Sequence, residues 1–501
     1  MRALLATSIG VTCAAALTIP LAVPSAAAPA IRTSAIRAVP APDRAPAEAA
    51  TPAEATAPAE AATPAEATAP AEAATPAEAT EPAELPGSTQ SLPLSPLTPA
   101  SDRATGAPTG PSASAVQGLR QRDVRPFSLV GVVWDDAATE LHGTVQVRTR
   151  ATGTTRWSGW QDVETHNAEH AADPGTAESE SRTVRGATAP LWVGESDGVE
   201  VRVQPGATDP HDRTAAPQAL PGGLRLELVD PGEAAPRPPT GGAPGTSRVT
   251  EPTAVAPLTV QSAEAAAVNA DLAPLGATVI PALSKAESQA QAGVAAGAKP
   301  FIGPRPRIIT RKGWGADEGL RERQFAYTTR VKAAFVHHSA TGNNYRCSQA
   351  PSVLRGIYRY HVKSSGWRDF GYNFAIDKCG NIYEGRAGGV SKAVLGAHTL
   401  GFNTNSMGIA VLGTFTSTKP SAASVKAVSK LTAWKLGLFG ANPKGKTTLV
   451  SGGGNRFRKG AKVRLNVISG HRDGFATECP GGRLYKKLGT ARAGSARLQG
   501  R

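Results

Sequence analysis

A strict repeat near the start of the 501-residue chain limits how much of it can fold into a globule. Pro-Ala-Glu recurs at positions 46, 52, 58, 64, 70, 76 and 82, a period of six residues. A proline at every sixth position interrupts a continuous helix, and the unit has too few apolar atoms to build a core. We therefore expect residues 29–122 to be a disordered, acidic linker, with the folded modules beyond it.

The segment before the repeat has the three parts of a secretory signal peptide. Arg2 precedes an apolar run over residues 3–23, and the small residues 25–28 follow it. This order matches a basic region, a hydrophobic region and a cleavage site. We expect residues 1–28 to be removed and the protein to be secreted, either extracellular or associated with a cell wall. No other apolar run is long enough for a membrane span, so no stable membrane anchor is expected.

The charge is divided unevenly along the chain. Residues 301–501 contain 34 Lys and Arg against 8 Asp and Glu, whereas the first 300 residues contain 20 against 32. The formal net charge of +14 therefore combines an acidic first part with a C-terminal part of +26. Such a basic part suits an anionic partner, although it can also serve solubility alone. Because the chain has an export signal and no nucleic-acid-binding motif, we expect anionic wall polymers and no nucleic acid.

Short alternating runs over residues 123–232 predict a small all-β module. Apolar and polar residues alternate over 143–150, 199–203 and 224–228, and Gly, Asp and Pro separate the runs. The pattern does not indicate what this module does. Residues 233–302 return to Ala, Pro, Gly and Thr, so we expect a second linker with a short helix near Leu283–Ala295.

Predicted strands and helices alternate over residues 303–492, which indicates an α/β domain followed by a tail at 493–501. The predicted elements are a buried strand over 333–338, a helix over 348–364, a hairpin over 372–385, a central strand over 406–413 and a helix between Pro420 and Gly440.

A histidine and a cysteine share one glycine-rich loop of this domain. His471 and Cys479 are eight residues apart and can converge on one metal ion. His337 or His338, at the end of the buried strand, can supply a third ligand. Three protein ligands and an open fourth position form a catalytic zinc site, where zinc polarises a carbonyl and lowers the pKa of water. On spacing alone, a core histidine beside a buried free thiol is an equal alternative.

The cysteine count leaves a similar choice. Cys13 is lost with the signal peptide, and Cys347, Cys379 and Cys479 remain. If two of these three pair, the third is free, intermolecular or a metal ligand.

A series of longer motifs runs through the domain in a fixed order. They are Arg311–Ala316, Val336–Ala340, Gly366–Phe374, Ile382–Arg386, Gly396–His398, Asn403, Gly408–Ala410 and His471–Gly481. Together they closely resemble the peptidoglycan recognition protein and type-2 N-acetylmuramoyl-L-alanine amidase family. The resemblance implies a mixed central sheet flanked by helices, the zinc amidase fold. It covers about 190 residues and does not extend to residues 1–300.

Carried over residue by residue, the resemblance implies a zinc site and its surroundings. The implied Zn2+ ligands are His337, His471 and Cys479. Tyr372 and Thr477 would flank the metal and orient water or stabilise an oxyanion. His398 and Arg386 would line the groove for a muramyl peptide, with packing as the alternative for both.

Other residues of the domain receive smaller roles. His338 would be structural, and His361 would pack on a helix face. Asp473 would hold the His471 loop by hydrogen bonding, and Glu384 is not required as a base. A disulfide between Cys347 and Cys379 would suit a secreted protein.

The implied activity is hydrolysis of the amide between N-acetylmuramic acid and L-alanine in peptidoglycan. The alternative is a peptidoglycan-binding protein without turnover. Family members that only bind peptidoglycan lack the cysteine ligand, so the presence of Cys479 favours the enzyme.

Overall fold

The structure is a computed structural model that describes residues 87–97, 116–206, 219–233, 258–293 and 300–501. The expected signal peptide and the Pro-Ala-Glu repeat lie outside these residues. The described residues all belong to one compact unit, Ala79–Arg501. Within these ranges, no helix has the length and apolar composition that a membrane crossing requires.

Antiparallel strands build the first module, as the alternating runs predict. The strands are β1 (Ser88–Pro93), β2 (Ser95–Pro96), β3 (Gln117–Trp134), β4 (Gly143–Ala151), β5 (Gln161–Val163), β6 (Gly186–Ala187), β7 (Leu191–Pro205) and β8 (Arg225–Asp230). Their order is β1-β8-β3-β7-β4-β5, with β2 and β6 both paired to β3. Val145 and Val147 of β4 point into the same core as Val199, Val201 and Val203 of β7. This packing follows from the two-residue period of a strand.

Among the described residues, nine further strands belong to the C-terminal domain. They are β9 (Val279–Ile280), β10 (Ile308–Ile309), β11 (Ala333–His338), β12 (Phe374–Ile376), β13 (Ile382–Glu384), β14 (Ser406–Val411), β15 (Lys446–Val450), β16 (Lys462–Asn466) and β17 (Ile468–Gly470). Seven form the central sheet, in the order β17-β11-β14-β12-β13-β10-β9, while β15 and β16 form a separate hairpin. Parallel and antiparallel pairs both occur in the central sheet, which confirms the mixed α/β class.

Helices cover both faces of the central sheet. They are α1 (Val260–Ala267), α2 (Lys285–Gln291), α3 (Arg311–Trp314), α4 (Ala350–Arg359), α5 (Ala422–Leu438), α6 (His471–Gly474), α7 (Gly482–Tyr485) and α8 (Leu488–Gln499). Helices α5 and α8 pack on the face that includes Val336 and Ile409. Helix α4, which continues as a π-helical turn over Tyr360–Ser364, packs on the face that includes Ala375 and Ala410. The predicted disulfide between Cys347 and Cys379 is present beside α4.

The β module is docked directly on helix α4. Leu129 and Trp192 of the module share one apolar cluster with Leu354 and Ile357 of the helix. The Tyr360 hydroxyl, just beyond α4, donates a hydrogen bond of 3.1 Å to the carbonyl of Thr188. Helix α4 therefore lies between the central sheet and the β module, and both of its sides are buried.

Three predicted boundaries are wrong, because pairing and packing extend past them. Strand β1 lies inside the expected first linker, but it pairs with β8 from Ser88 to Pro93. Strand β9 lies inside the expected second linker, and it pairs with β10 at the edge of the central sheet. Helix α8 fills most of the expected tail, because Ala496 is buried in its packing.

Candidate metal centre

The ends of two neighbouring parallel strands bring His337 and His471 together. Strand β11 pairs in parallel with β17, and Val336 lies opposite Gly470. His337 follows Val336 on β11, and His471 follows Gly470 at the start of α6. The two histidines therefore lie at the same edge of the sheet. Both side chains are completely buried.

The loop after α6 returns Cys479 to the same edge. Asp473 holds the turn as predicted: its carboxylate accepts hydrogen bonds from the Gly470 amide at 2.9 Å and the Tyr485 hydroxyl at 2.6 Å. The Cys479 Sγ atom then lies 3.7 Å from His337 Nδ1. The three residues that the family resemblance implies as zinc ligands thus converge in the structure.

A fourth donor comes from the β module. The segment between β5 and β6, residues 164–185, leaves its sheet and reaches across to the domain; we call it the crossing segment. Its residue His170 is buried, and its Nε2 atom lies 3.2 Å from His471 Nδ1. One donor atom from each of His170, His337, His471 and Cys479 lies within 4.8 Å of the other three.

These donors fit a zinc ion in type, and two of their contacts also fit it in spacing. Donors around a tetrahedral zinc with ordinary bond lengths are about 3.4–3.6 Å apart, close to the 3.2 and 3.7 Å contacts of this cluster. Burial lowers the pKa of His337 and His471, and lowers that of His170 to about 3. The imidazoles are therefore neutral at neutral pH and offer lone pairs. Burial raises the pKa of the Cys479 thiol, a trend that a bound cation reverses.

The two predicted catalytic hydroxyls flank the cluster. The ring of Tyr372 lies 5.2 Å from that of His337, and burial raises its pKa, so its hydroxyl keeps its proton. Thr477 Oγ1 accepts a hydrogen bond from the Cys479 amide at 3.1 Å. The same hydroxyl donates to Glu169 of the crossing segment at 2.6 Å.

The two predicted groove residues are both buried. His398 lies behind His337, with ring centroids 5.3 Å apart, and its Nδ1 atom lies 3.0 Å from Thr399 Oγ1. This position matches the packing alternative for His398. Arg386 donates two hydrogen bonds, of 2.8 and 2.7 Å, to the carboxylate of Glu178 in the crossing segment. Arg386 therefore already holds a carboxylate that belongs to its own chain.

Other histidines and carboxylates have structural positions. His361 packs on Trp367 with centroids 4.5 Å apart, as predicted. Glu384 is buried away from the cluster, where burial raises its pKa to about 7 and Asn269 donates to it at 2.8 Å. His338 lies beside the cluster on the wall of the adjoining cavity, and burial lowers its pKa to about 4.

A cavity of about 470 Å³ adjoins the donors. Tyr372, Thr477 and Cys479 form part of its wall, and Asn167 and His170 of the crossing segment form another part. The cavity is large enough for part of a muramyl peptide, and its polar groups come from both modules.

His170 and its role are not predicted from the sequence. The residue is 301 positions from His471 and lies in a segment without strand or helix periodicity. The available signal is a pair of histidines four residues apart, His166 and His170, among the acidic residues of the β module.

Comparison with known proteins agrees with this architecture. A family described as N-acetylmuramoyl-L-alanine amidase matches residues 327–482. A second family, described as Rv3811 N-terminal galactose-binding domain-like, matches residues 69–221. The C-terminal part is thus an amidase-type α/β domain, and the front part is a galactose-binding-like β domain.

Individual relatives resemble the C-terminal part. Peptidoglycan-recognition protein SC2 of Drosophila simulans is 31% identical over 185 residues, which are 36% of this chain and 85% of the relative. Human N-acetylmuramoyl-L-alanine amidase is 31% identical over 190 residues, which are 37% of this chain and 28% of the relative. The solved structure of wild-type Drosophila PGRP-LB matches 37% of this chain and 93% of its own, with 27% identity and a TM-score of 0.29. The chain belongs to the peptidoglycan recognition protein and type-2 amidase family.

Proposed function

We propose that this protein is a secreted, zinc-dependent N-acetylmuramoyl-L-alanine amidase that cleaves peptidoglycan. The observation that supports the proposal most directly is the convergence of Cys479 with His337 and His471 at one buried edge of the sheet. The human relative is itself named an N-acetylmuramoyl-L-alanine amidase. The alternative, a binding protein without turnover, has no need for a cysteine that completes a metal centre.

Different residues of the site would have different roles in amide hydrolysis. His337, His471 and Cys479 would hold the zinc ion, which supplies Lewis acidity and lowers the pKa of water when it is bound. Tyr372 keeps its hydroxyl proton, so this hydroxyl can donate a hydrogen bond to the carbonyl oxygen of the lactyl group as negative charge develops there. Thr477 offers a second hydroxyl at the same side of the cavity. Donors of this type each contribute about 10²–10³ in kcat.

The basic surface gives the proposed enzyme a way to find its substrate. The C-terminal 201 residues carry a net charge of +26, and cell walls contain anionic polymers. Electrostatic attraction between exposed charges is screened when the Debye length falls to about 3 Å at 1 M salt. We therefore expect wall binding by the full chain to weaken steeply as salt rises. Binding that does not depend on salt would contradict electrostatic docking.

Analysis of digested cell wall tests the activity. Purified protein is incubated with purified peptidoglycan, and the soluble products are separated and identified by mass. The proposal predicts free stem peptides that begin with L-alanine, and their loss after chelation or in Cys479→Ser. A variant in which alanine replaces His170, the fourth donor of the cluster, is tested in parallel because it leaves only the three predicted ligands. If intact wall only co-sediments with both proteins and neither releases stem peptide, the protein is a binder and the proposal is wrong.

A further inference from the structure

The crossing segment is attached to the amidase domain at several points besides His170. Asp173 accepts hydrogen bonds from the backbone amides of Gly401 and Asn403, at 2.9 and 3.2 Å, and from the Asn403 side chain at 2.7 Å. The backbone of Arg185 donates to Ser365 at 3.1 Å. These contacts fix both sides of His170, so its position at the cluster is built into the fold.

The segment also engages the polar groups that the proposed reaction requires. The Thr477 hydroxyl donates a hydrogen bond of 2.6 Å to the Glu169 carboxylate, and Glu178 pairs with Arg386. The segment carries five carboxylates against two arginines, opposite in sign to the domain that it covers. A substrate that used Thr477 or Arg386 would have to displace these carboxylates first.

The number of protein donors separates two kinds of zinc site. Catalytic sites have three protein ligands and leave the fourth position to water or substrate, whereas structural sites are closed by four protein ligands. His337, His471 and Cys479 make the first kind. With His170 added, the four side chains make the second kind, a closed set of three imidazoles and one thiol.

We propose that the crossing segment is an intramolecular inhibitor, in which His170 takes the fourth metal position and keeps the amidase domain latent. The segment must withdraw before water or substrate reaches the metal. This inference rests on the proposed function for its consequence for catalysis, but the closed metal site itself does not depend on which bond the enzyme cleaves.

Cobalt substitution tests the closed site without any substrate. The full chain is loaded with Co²⁺, whose visible absorption reports the number and type of its ligands, and is titrated with azide. The wild-type spectrum should stay unchanged by azide, because no position is open. His170→Ala should show an altered spectrum that azide shifts, and free imidazole should restore the wild-type spectrum. His166→Ala, an exposed histidine of the same segment, is the matched control and should behave as wild type.

A second variant protects the test against misfolding of His170→Ala. Glu178→Gln weakens an anchor of the segment and leaves all four donors in place, so it should allow azide to bind at concentrations where the wild type does not. Glu180→Gln, an exposed neighbour, is its control. The proposal is wrong if wild type and His170→Ala have the same spectrum, or if azide binds to both equally.

Hydrolysis of a soluble muramyl peptide separates this inference from the proposed function. Release of L-alanyl peptide should be at least about tenfold faster in His170→Ala than in wild type, because a closed state that holds about 90% or more of the molecules leaves at most about a tenth of them competent. A wild type that releases the peptide as fast as His170→Ala, or faster, overturns the latency. If the spectra follow the prediction and no variant hydrolyses the peptide, the proposed amidase activity fails while the closed site is supported. A wild-type chain that binds no divalent metal overturns both.

Discussion

The ion pair between Glu178 and Arg386 holds the crossing segment on the amidase-type domain. Both side chains are buried, and the guanidinium donates one hydrogen bond to each carboxylate oxygen. Glu178→Ala leaves Arg386 buried without its counter-charge. Removing one partner of a buried pair costs about 3–5 kcal/mol, mostly because the remaining charge stays desolvated.

This cost should appear first as local opening of the segment, because residues 164–185 contain no strand or helix that would spread it through the module. One decade in an equilibrium constant corresponds to about 1.36 kcal/mol. Amide hydrogen exchange within the segment should therefore accelerate by two to nearly four orders of magnitude, while exchange in β3 and β14 stays unchanged. Native-state exchange followed by mass spectrometry of peptides makes this measurement.

Two further variants test whether the ion pair holds the segment. Glu180→Ala removes an exposed carboxylate two residues away. The free energy of local opening derived from the exchange rates should then change by less than about 0.5 kcal/mol. The double variant Glu178→Ala, Arg386→Met should recover much of the protection, because it removes the stranded charge. If Glu178→Ala exchanges as slowly as Glu180→Ala, the ion pair does not hold the segment.

Three other outcomes follow from the site and the fold. Tyr372→Phe should lower kcat about 10²–10³-fold while bound zinc, measured by metal analysis, stays the same; an unchanged kcat would remove Tyr372 from the reaction. Replacing Cys347 and Cys379 by serine removes a disulfide between residues 32 apart. It should lower the free energy of unfolding, measured in urea, by about 3–4 kcal/mol; equal stability of the two proteins would show that the disulfide does not stabilise the fold. Burial opposes ionisation of Glu178, but the charge and hydrogen bonds of Arg386 outweigh it and lower its pKa below the ordinary 4.5. The stabilisation from ionised Glu178 is therefore fully present above pH 4.5, the ordinary pKa of a glutamate, and is lost as the pH falls through the lower pKa that Glu178 has in the folded protein. The acid side of a stability profile should be flatter in Glu178→Gln, and identical profiles would count against the pair.

The parts of the site that the sequence predicts lie where local pattern and topology agree. The sequence shows a buried strand whose last two residues are His337 and His338, and a loop that joins His471 to Cys479. The parallel pairing of β11 with β17 then brings the histidines together.

The part that escapes sequence analysis depends on contact between modules. His170 and Glu178 lie in a segment with no periodicity, and each meets its partner only when the β module sits on α4. The predicted module boundaries are wrong for a related reason: β1 and β9 are short, and only their pairing with the distant strands β8 and β10 makes them strands. The local sequence does not indicate which distant strand or residue of the other module a segment will contact.

Helix α4 also determines how this protein can be divided in the laboratory. Its outer side, including Leu354 and Ile357, is covered by Leu129 and Trp192 of the β module. A truncated chain that begins at residue 303 would expose this apolar surface to water and would lose β9 from the sheet edge. Large exposed apolar patches promote association. Aggregation of such a fragment would therefore reflect the loss of the β module that covers α4 and not an unstable amidase-type domain, and expression trials should begin the chain before β1.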